Sequence, residues 1–242
     1  MNPLSKYSGK TAFTMAEVLI TLGIIGIVAA MTLPALINSY NNKVTETRLK
    51  KFYSVFNQTI LRSIEANGPY EGWEYWVDEV DEDGNPLPNQ PKIRNAFERY
   101  LRPYMNVVQV TEDTCRSQVS DGGKCIYYYL ADGSVFTFSE HINRTVWYYP
   151  KGNWETCEKS GQKLGGRCCF AFTFQPLSSN TSAWKYHINK GLEPFLYEWD
   201  GKEETLLNHP IYGCANKGTY CTAMIQLNGW RVPKNYPKKI KY

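Results

Sequence analysis

Residues 10–37 read KTAFTMAEVLITLGIIGIVAAMTLPALI, and nearly every side chain in that stretch is apolar. No charged residue occurs between Val18 and Asn42. The run from Val18 to Ile37 has the length of a bilayer-spanning helix, roughly 20 residues at about 1.5 Å rise each. Glu17 stands at its start. A carboxylate deep in a membrane helix costs on the order of 3 kcal/mol by insertion scales, and less near an end. An acid in this place marks a functional position and calls for a partner.

Two plainer readings fit the run without accounting for Glu17. A secretory signal has an apolar region of roughly 7–15 residues and a small-residue cleavage site. This run is longer, although Ala29 and Ala30 supply small residues. An ordinary signal anchor is the other. Snorkelling to the interface would satisfy Glu17 without any function. Charge does not fix the topology. Lys6 and Lys10 precede the run, but Lys43, Arg48, Lys50 and Lys51 follow it.

The segment resembles the class III leader of type IV pilins and type II secretion pseudopilins. In that family a short basic leader ends in a small residue, usually Gly. A prepilin peptidase cuts on the cytoplasmic side before a Phe, the new amino terminus is methylated, and the fifth mature residue is Glu. Here the cut falls between Ala12 and Phe13, which puts Glu17 fifth and Pro34 twenty-second, where many pilins carry Pro. Ala12 in place of Gly is the one departure. The resemblance gives Glu17 its partner, the amino-terminal nitrogen of Phe13 in its own chain or a neighbour's. Ammonium and carboxylate attract strongly in low dielectric, and each lowers the other's burial cost. Pro34 bends or locally melts the helix in a filament, or is simply tolerated as in other membrane helices. Gly23 and Gly26 permit close helix packing but lack GxxxG spacing.

Beyond the span the pattern becomes amphipathic. Leu49, Phe52, Tyr53, Phe56, Ile60 and Ile64 fall on one helical face, with Lys43, Glu46, Lys50, Gln58 and Arg62 over the rest. Gly68 and Pro69 stop the pattern. One helix is therefore expected from Phe13 to Ala66, roughly 80 Å at 1.5 Å per residue. Residues 67–242 form the head, after a leader at 1–12 and the helix at 13–66. DEVDEDGNPLPNQPK reads as a loop and IRNAFERYLRPYM as a short helix ending near Pro103. Strand-like runs follow: CIYYYLADGSVFTF, TVWYYP, CCFAFTFQP, PFLYEW and CTAMIQLNGW. The first reads as a hairpin turning at Asp132-Gly133. A long helix followed by antiparallel strands predicts an α+β fold, the sheet lying on the amphipathic half of the helix. That is the lollipop layout the pilin resemblance implies. The ending CTAMIQLNGWRVP is similar in general pattern to uncharacterised pseudopilin-like proteins.

Seven cysteines lie in the head without a CxxC pair, which disfavours zinc ribbons and thioredoxin-like redox sites. Short intervals suggest local disulfides of an oxidising compartment: Cys115–Cys125, Cys157 with Cys168 or Cys169, and Cys214–Cys221, leaving one thiol over. The net charge of +4 is too mild to make nucleic acid the main partner, and the basic C-terminus (Lys234, Lys238, Lys239, Lys241) reads as a solvated tail. Asp81, Asp83 and Asn85 alternate like the start of a calcium loop, but Pro86 and Lys92 stand where Gly and the closing Glu belong. Asp200, Glu203 and Glu204 match no ligand spacing. His141, His187 and His209 are scattered, with no HExxH, nucleophile elbow or phosphate loop anywhere. No catalytic residue, metal or cofactor is expected.

The expectation is a structural subunit of a type II secretion pseudopilus or type IV pilus, not an enzyme. It would be a single-pass protein of the cytoplasmic (inner) membrane, with the N-terminus cytoplasmic and the head outside. Implied partners are the prepilin peptidase, other pilins or pseudopilins in a helical filament, the inner-membrane assembly platform and the bilayer. The alternatives are a minor pilin whose seven Trp and many Tyr bind DNA, glycan or secreted substrate, and a membrane-tethered enzyme.

Overall fold

A single helix, α1, runs from Met15 to Asn67 with Pro34 inside it. The computed structural model describes residues 14–74, 94–114, 124–138, 145–159, 165–178 and 180–242. Contacts divide the chain into two units, one ending at Tyr40 and one spanning Asn41–Tyr242. In the first unit the large apolar side chains of α1 are exposed on every side, from Met15, Leu19 and Ile20 to Leu36 and Ile37.

In the second unit α1 buries Thr45, Leu49, Phe52, Phe56, Thr59, Ile60 and Ser63. Positions 45, 49, 52, 56, 59 and 63 are spaced alternately four and three apart, which keeps one seam facing the core. Tyr53 and Ile64 of the expected face lie at its edge, half-buried. Thr45, Thr59 and Ser63 extend it, and their hydroxyls are satisfied locally. Thr45 Oγ1 donates to the Asn41 carbonyl (2.8 Å), Thr59 Oγ1 donates to that of Val55 (3.0 Å), and Ser63 Oγ accepts from Asn67 (3.1 Å). Gly68, at φ +77°, ends the helix in a conformation that favours glycine.

The head is built on a six-stranded sheet: β1 (Val107–Thr114), β2 (Lys124–Leu130), β3 (Val135–Phe138), β4 (Thr145–Tyr149), β5 (Phe170–Thr173) and β6 (Glu193–Pro194). Strands neighbour each other in chain order, and every pair is antiparallel. The β2–β3 turn holds Gly133 at φ +77°, and Asp132 Oδ1 accepts from Ser134 N (3.1 Å) and Oγ (2.6 Å). Register brings Tyr128, Phe136, Tyr148 and Phe170 into one row across four strands. Phe52 of α1 lies on that row, stacked on Tyr148 at 4.1 Å and packed against Phe136 and Phe172.

Alternate residues supply the opposite face. Cys125, Tyr127, Val135, Trp147, Tyr149 and Ala171 pack under a second layer of turns and short helices carrying Trp154, Trp184, Phe195, Leu206 and Tyr220. These helices are α2 (Trp154–Lys159), α3 (Glu203–Asn208) and α4 (Cys221–Leu227). Antiparallel sheets often leave one face wet. Here β3, β4 and β5 are buried along their whole length, which accounts for their unbroken apolar runs.

Several sequence expectations need correction. CTAMIQLNGW is not a strand: Cys221–Leu227 is helix α4, with Cys221 through Ile225 buried. A short, wholly buried apolar run looks the same in either period, and Ala, Met, Gln and Leu favour helix. In PFLYEW only Pro194, together with Glu193 before it, pairs in the sheet, while Phe195 and Leu196 fill the second layer. Strand β1, VVQVTEDT, was not expected at all. The C-terminus is not a solvated tail. Ile240 is buried, Lys238 Nζ donates to the carbonyls of Gly165 (2.8 Å) and Asn216 (3.0 Å), and the Tyr242 hydroxyl bonds Thr45. Lys234, Lys239 and Lys241 remain exposed, so the charge pattern concealed the apolar residues between them. Residues 94–104 are helical, as IRNAFERYLRPYM implied. The acidic loop at 78–92 lies outside the described residues.

Candidate functional site

The first turn of α1 is organised by Thr14 and Glu17. Thr14 N and Thr14 Oγ1 each donate to Glu17 Oε2 at 2.8 Å, and Glu17 N donates back to Thr14 Oγ1 at 3.3 Å. This is a reciprocal capping box, satisfying helix N–H groups that have no carbonyl partner within the helix. Its sequence signature, Thr14-x-x-Glu17, is plain in the chain, and the reading of Glu17 from its neighbours in the pilin pattern passed over it. The carboxylate thus has a local partner within the described residues. Ala12 and Phe13, the expected cleavage site, lie outside them.

From Val18 onward α1 is long and apolar enough to cross a membrane, with none of its most apolar window buried. Its hydroxyls do not disturb that character. Thr21 Oγ1 donates to the carbonyls of Glu17 (3.0 Å) and Val18 (2.9 Å), and Thr32 Oγ1 to that of Val28 (2.9 Å). Polar groups closed back onto their own helix need no water. Around Gly23 and Gly26 an added Cβ would meet nothing within 4 Å, so no contact described in this chain requires glycine there.

The head is fastened by disulfides. Cys157 joins Cys168, and Cys214 joins Cys221. Cys125 is also disulfide-bonded, and Cys115, its expected partner, lies outside the described residues. Cys169 is a buried thiol. The choice between Cys168 and Cys169, open in the sequence, falls to Cys168, and Cys169 directly precedes β5; Cys157, Cys168 and Cys169 all lie in the second core layer.

Among the described residues, His187, His209 and Asp200 each hold local structure. His187 is fully buried, and its Nε2 accepts the Leu196 N–H at 3.1 Å. Burial, reinforced by the charge of Lys190, lowers its pKa to about 3. His209 Nδ1 accepts from Ile211 N (3.3 Å) and Tyr212 N (3.1 Å), closing a turn. Asp200 Oδ1 accepts from Lys202 N (2.9 Å) and Oδ2 from Thr205 Oγ1 (2.9 Å), so this carboxylate organises the entry to α3. Among the described residues no three His, Cys, Asp or Glu side chains are grouped as metal ligands. Asp81, Asp83, Asn85 and His141 lie outside them. Trp73, Trp147, Trp154, Trp184 and Trp199 are buried, so these five serve as core; Trp76 lies outside the described residues.

An N-terminal helix whose apolar first part carries a single carboxylate, held in a capping box, joined in sequence to an α+β, disulfide-tied unit, defines the class of this protein. The chain belongs to the family described as Family of unknown function (DUF6613), whose profile matches residues 35–240. No curated protein and no solved structure matches it.

Proposed function

We propose that the chain is a single-pass, pilin-like structural subunit of a type II secretion pseudopilus or type IV pilus. The observation that carries this reading is a lone carboxylate, Glu17, at the first turn of a helix whose following side chains are apolar and exposed all round. Such a surface is stable only in lipid or against other apolar helices. Prepilin peptidase would cut between Ala12 and Phe13. The methylated Phe13 nitrogen would then pair with Glu17, while lateral packing of α1 with copies or relatives builds a filament from contacts that do not close on themselves. Pro34 would let the helix bend as it enters the filament. The inner-membrane assembly platform would receive the subunit, with the head outside, where disulfides persist.

Mass spectrometry of the membrane-extracted protein tests processing. A chain beginning at methylated Phe13 is expected, and an intact Met1 or a cut near Ala30 overturns the reading. Glu17→Ala is expected to insert normally but to be depleted from sheared filaments. Equal incorporation with the unmutated chain would count against the role given to Glu17.

A further inference from the structure

Four lysines stand around the first turns of α1 in the second unit, and each belongs to a segment tied to that helix or to its neighbours. Lys43 is on α1 itself, with its side chain 75% exposed. Lys151 Nζ reaches Asn41 Oδ1 at 3.5 Å and lies 4.7 Å from the centre of the Tyr242 ring. Tyr242 in turn bonds Thr45, so the segment that carries exposed Lys239 and Lys241 is fastened to α1 three residues before the position of Arg48. The nearby carboxylates are only partly available to these lysines. Glu46 accepts from Val232 N at 2.9 Å on Oε1 and lies 3.7 Å from Lys43 Nζ on Oε2, a weak pair at the exposed end of Lys43, and Asp132 pairs with Lys51 at 2.8 Å. Among the described residues, Lys239 and Lys241 pair with no carboxylate.

We propose that Lys43, Lys151, Lys239 and Lys241 form a collar that binds the anionic headgroups of the lipid leaflet from which α1 emerges. The inference rests on the membrane placement of α1 proposed above. Lys43 follows Ile37 by six residues, about 9 Å of helix. The polar layer on each side of the hydrocarbon is roughly 5–8 Å thick, and charges interact over a Debye length of about 8 Å at physiological salt. Lys43 therefore falls at phosphate depth, and Tyr40, exposed, falls in the interfacial layer that aromatic residues favour. Lys50, roughly 10 Å further along the helix, falls outside that range. Compact ammonium groups on flexible stems suit a fluid array of phosphates better than a single shaped ligand.

The test uses the full chain reconstituted in vesicles containing spin-labelled phosphatidylglycerol or phosphatidylcholine. Electron paramagnetic resonance counts the lipid held motionally restricted by the protein. Phosphatidylglycerol is expected in excess over phosphatidylcholine, and the excess should shrink as salt is raised. Each lysine at such a surface is worth about fivefold in headgroup occupancy. Lys43→Gln/Lys241→Gln should therefore lose most of the excess, while Lys50→Gln retains it. Equal loss in Lys50→Gln, or an unchanged excess in the double variant, overturns the collar. Displacement of phosphatidylglycerol by inorganic phosphate, beyond a chloride control of equal ionic strength, assigns the lysines to free phosphate and also overturns it. Restriction of both lipids without preference refutes the collar alone. No restricted lipid of either kind refutes the membrane placement of α1 as well.

Discussion

Acidification should destabilise the head through His187. In the unfolded chain its imidazole titrates near the ordinary value of about 6.5. In the fold it is buried and already accepts the Leu196 N–H on Nε2, and its pKa falls to about 3. Burial is the larger cause and Lys190 the smaller, while a hydrogen bond with the Thr173 backbone works the other way. The folded pKa lies below the unfolded one, so the unfolded chain takes up the proton first as pH falls. Stability from this group is therefore complete above about pH 6.5, declines below it, and is gone below about pH 3. Between pH 6.5 and 4.5 the loss comes to about 2 kcal/mol, a factor of roughly fifty in the unfolding equilibrium. The assay is urea unfolding of the full chain in neutral detergent at both pH values, beside His187→Gln. Glutamine can still accept the Leu196 N–H but does not titrate. The variant is expected to be less stable at pH 7 and less sensitive to acid by about 2 kcal/mol, carboxylate titrations being common to both chains. Parallel stability curves for the two chains between pH 6.5 and 4.5 would refute the reasoning.

Phe52→Ala should cost about 3–5 kcal/mol in the same urea assay, because it empties the contact between α1 and the aromatic row of the sheet. Leu61→Ala, on the exposed side of the same helix, should stay within about 0.5 kcal/mol, and similar losses for both would contradict the packing described. Replacing Cys214 and Cys221 together by Ser opens a loop of sequence separation 7 and should cost roughly 2.5 kcal/mol. An unchanged urea midpoint in that double variant would show the bond to be dispensable.

What could be read in the sequence was whatever repeats with a period. The spacing from Leu49 to Ile60 pointed to the seam of α1, and Asp132-Gly133 pointed to the β2–β3 hairpin, because local geometry demands those residues there. The second core layer was hidden. Its members, such as Trp184, Phe195 and Tyr220, come from turns without a period, and only the fold brings them onto one face of the sheet. The C-terminal segment was misread for a related reason. Charges at 234, 238, 239 and 241 dominated the composition, whereas Ile240 and Tyr242 decided where the segment lies. In α4 a uniform environment erased the difference between periods, since every residue from Cys221 to Ile225 is buried. At the candidate site the carboxylate was legible from its position against an apolar run. Its local partner was legible too, as a four-residue motif, but a longer-range reading of Glu17 took precedence.

The two partners for Glu17 are separable by one substitution. Both bonds from Thr14 end on Oε2. An ionised carboxylate offers about four lone-pair sites, so a capping box and an ammonium can share it. Their natures differ. The box needs a hydrogen-bond acceptor at the third helical position, and Gln serves there almost as well as Glu. Pairing with an amine in lipid needs the negative charge, because a neutral amide leaves the ammonium unmatched in low dielectric. Removing the cap with Thr14→Ala costs about 1 kcal/mol of local helix stability and leaves the charge in place. If the charge pair drives assembly, Glu17→Gln should be excluded from filaments as severely as Glu17→Ala, and Thr14→Ala should be incorporated with only a modest deficit. If the box alone matters, Glu17→Gln should assemble like the unmutated chain and Thr14→Ala should fail with Glu17→Ala. Cleavage of each variant, followed by mass, separates a processing defect from an assembly defect. Normal filaments from processed Glu17→Gln subunits would leave the carboxylate with no role beyond starting its own helix.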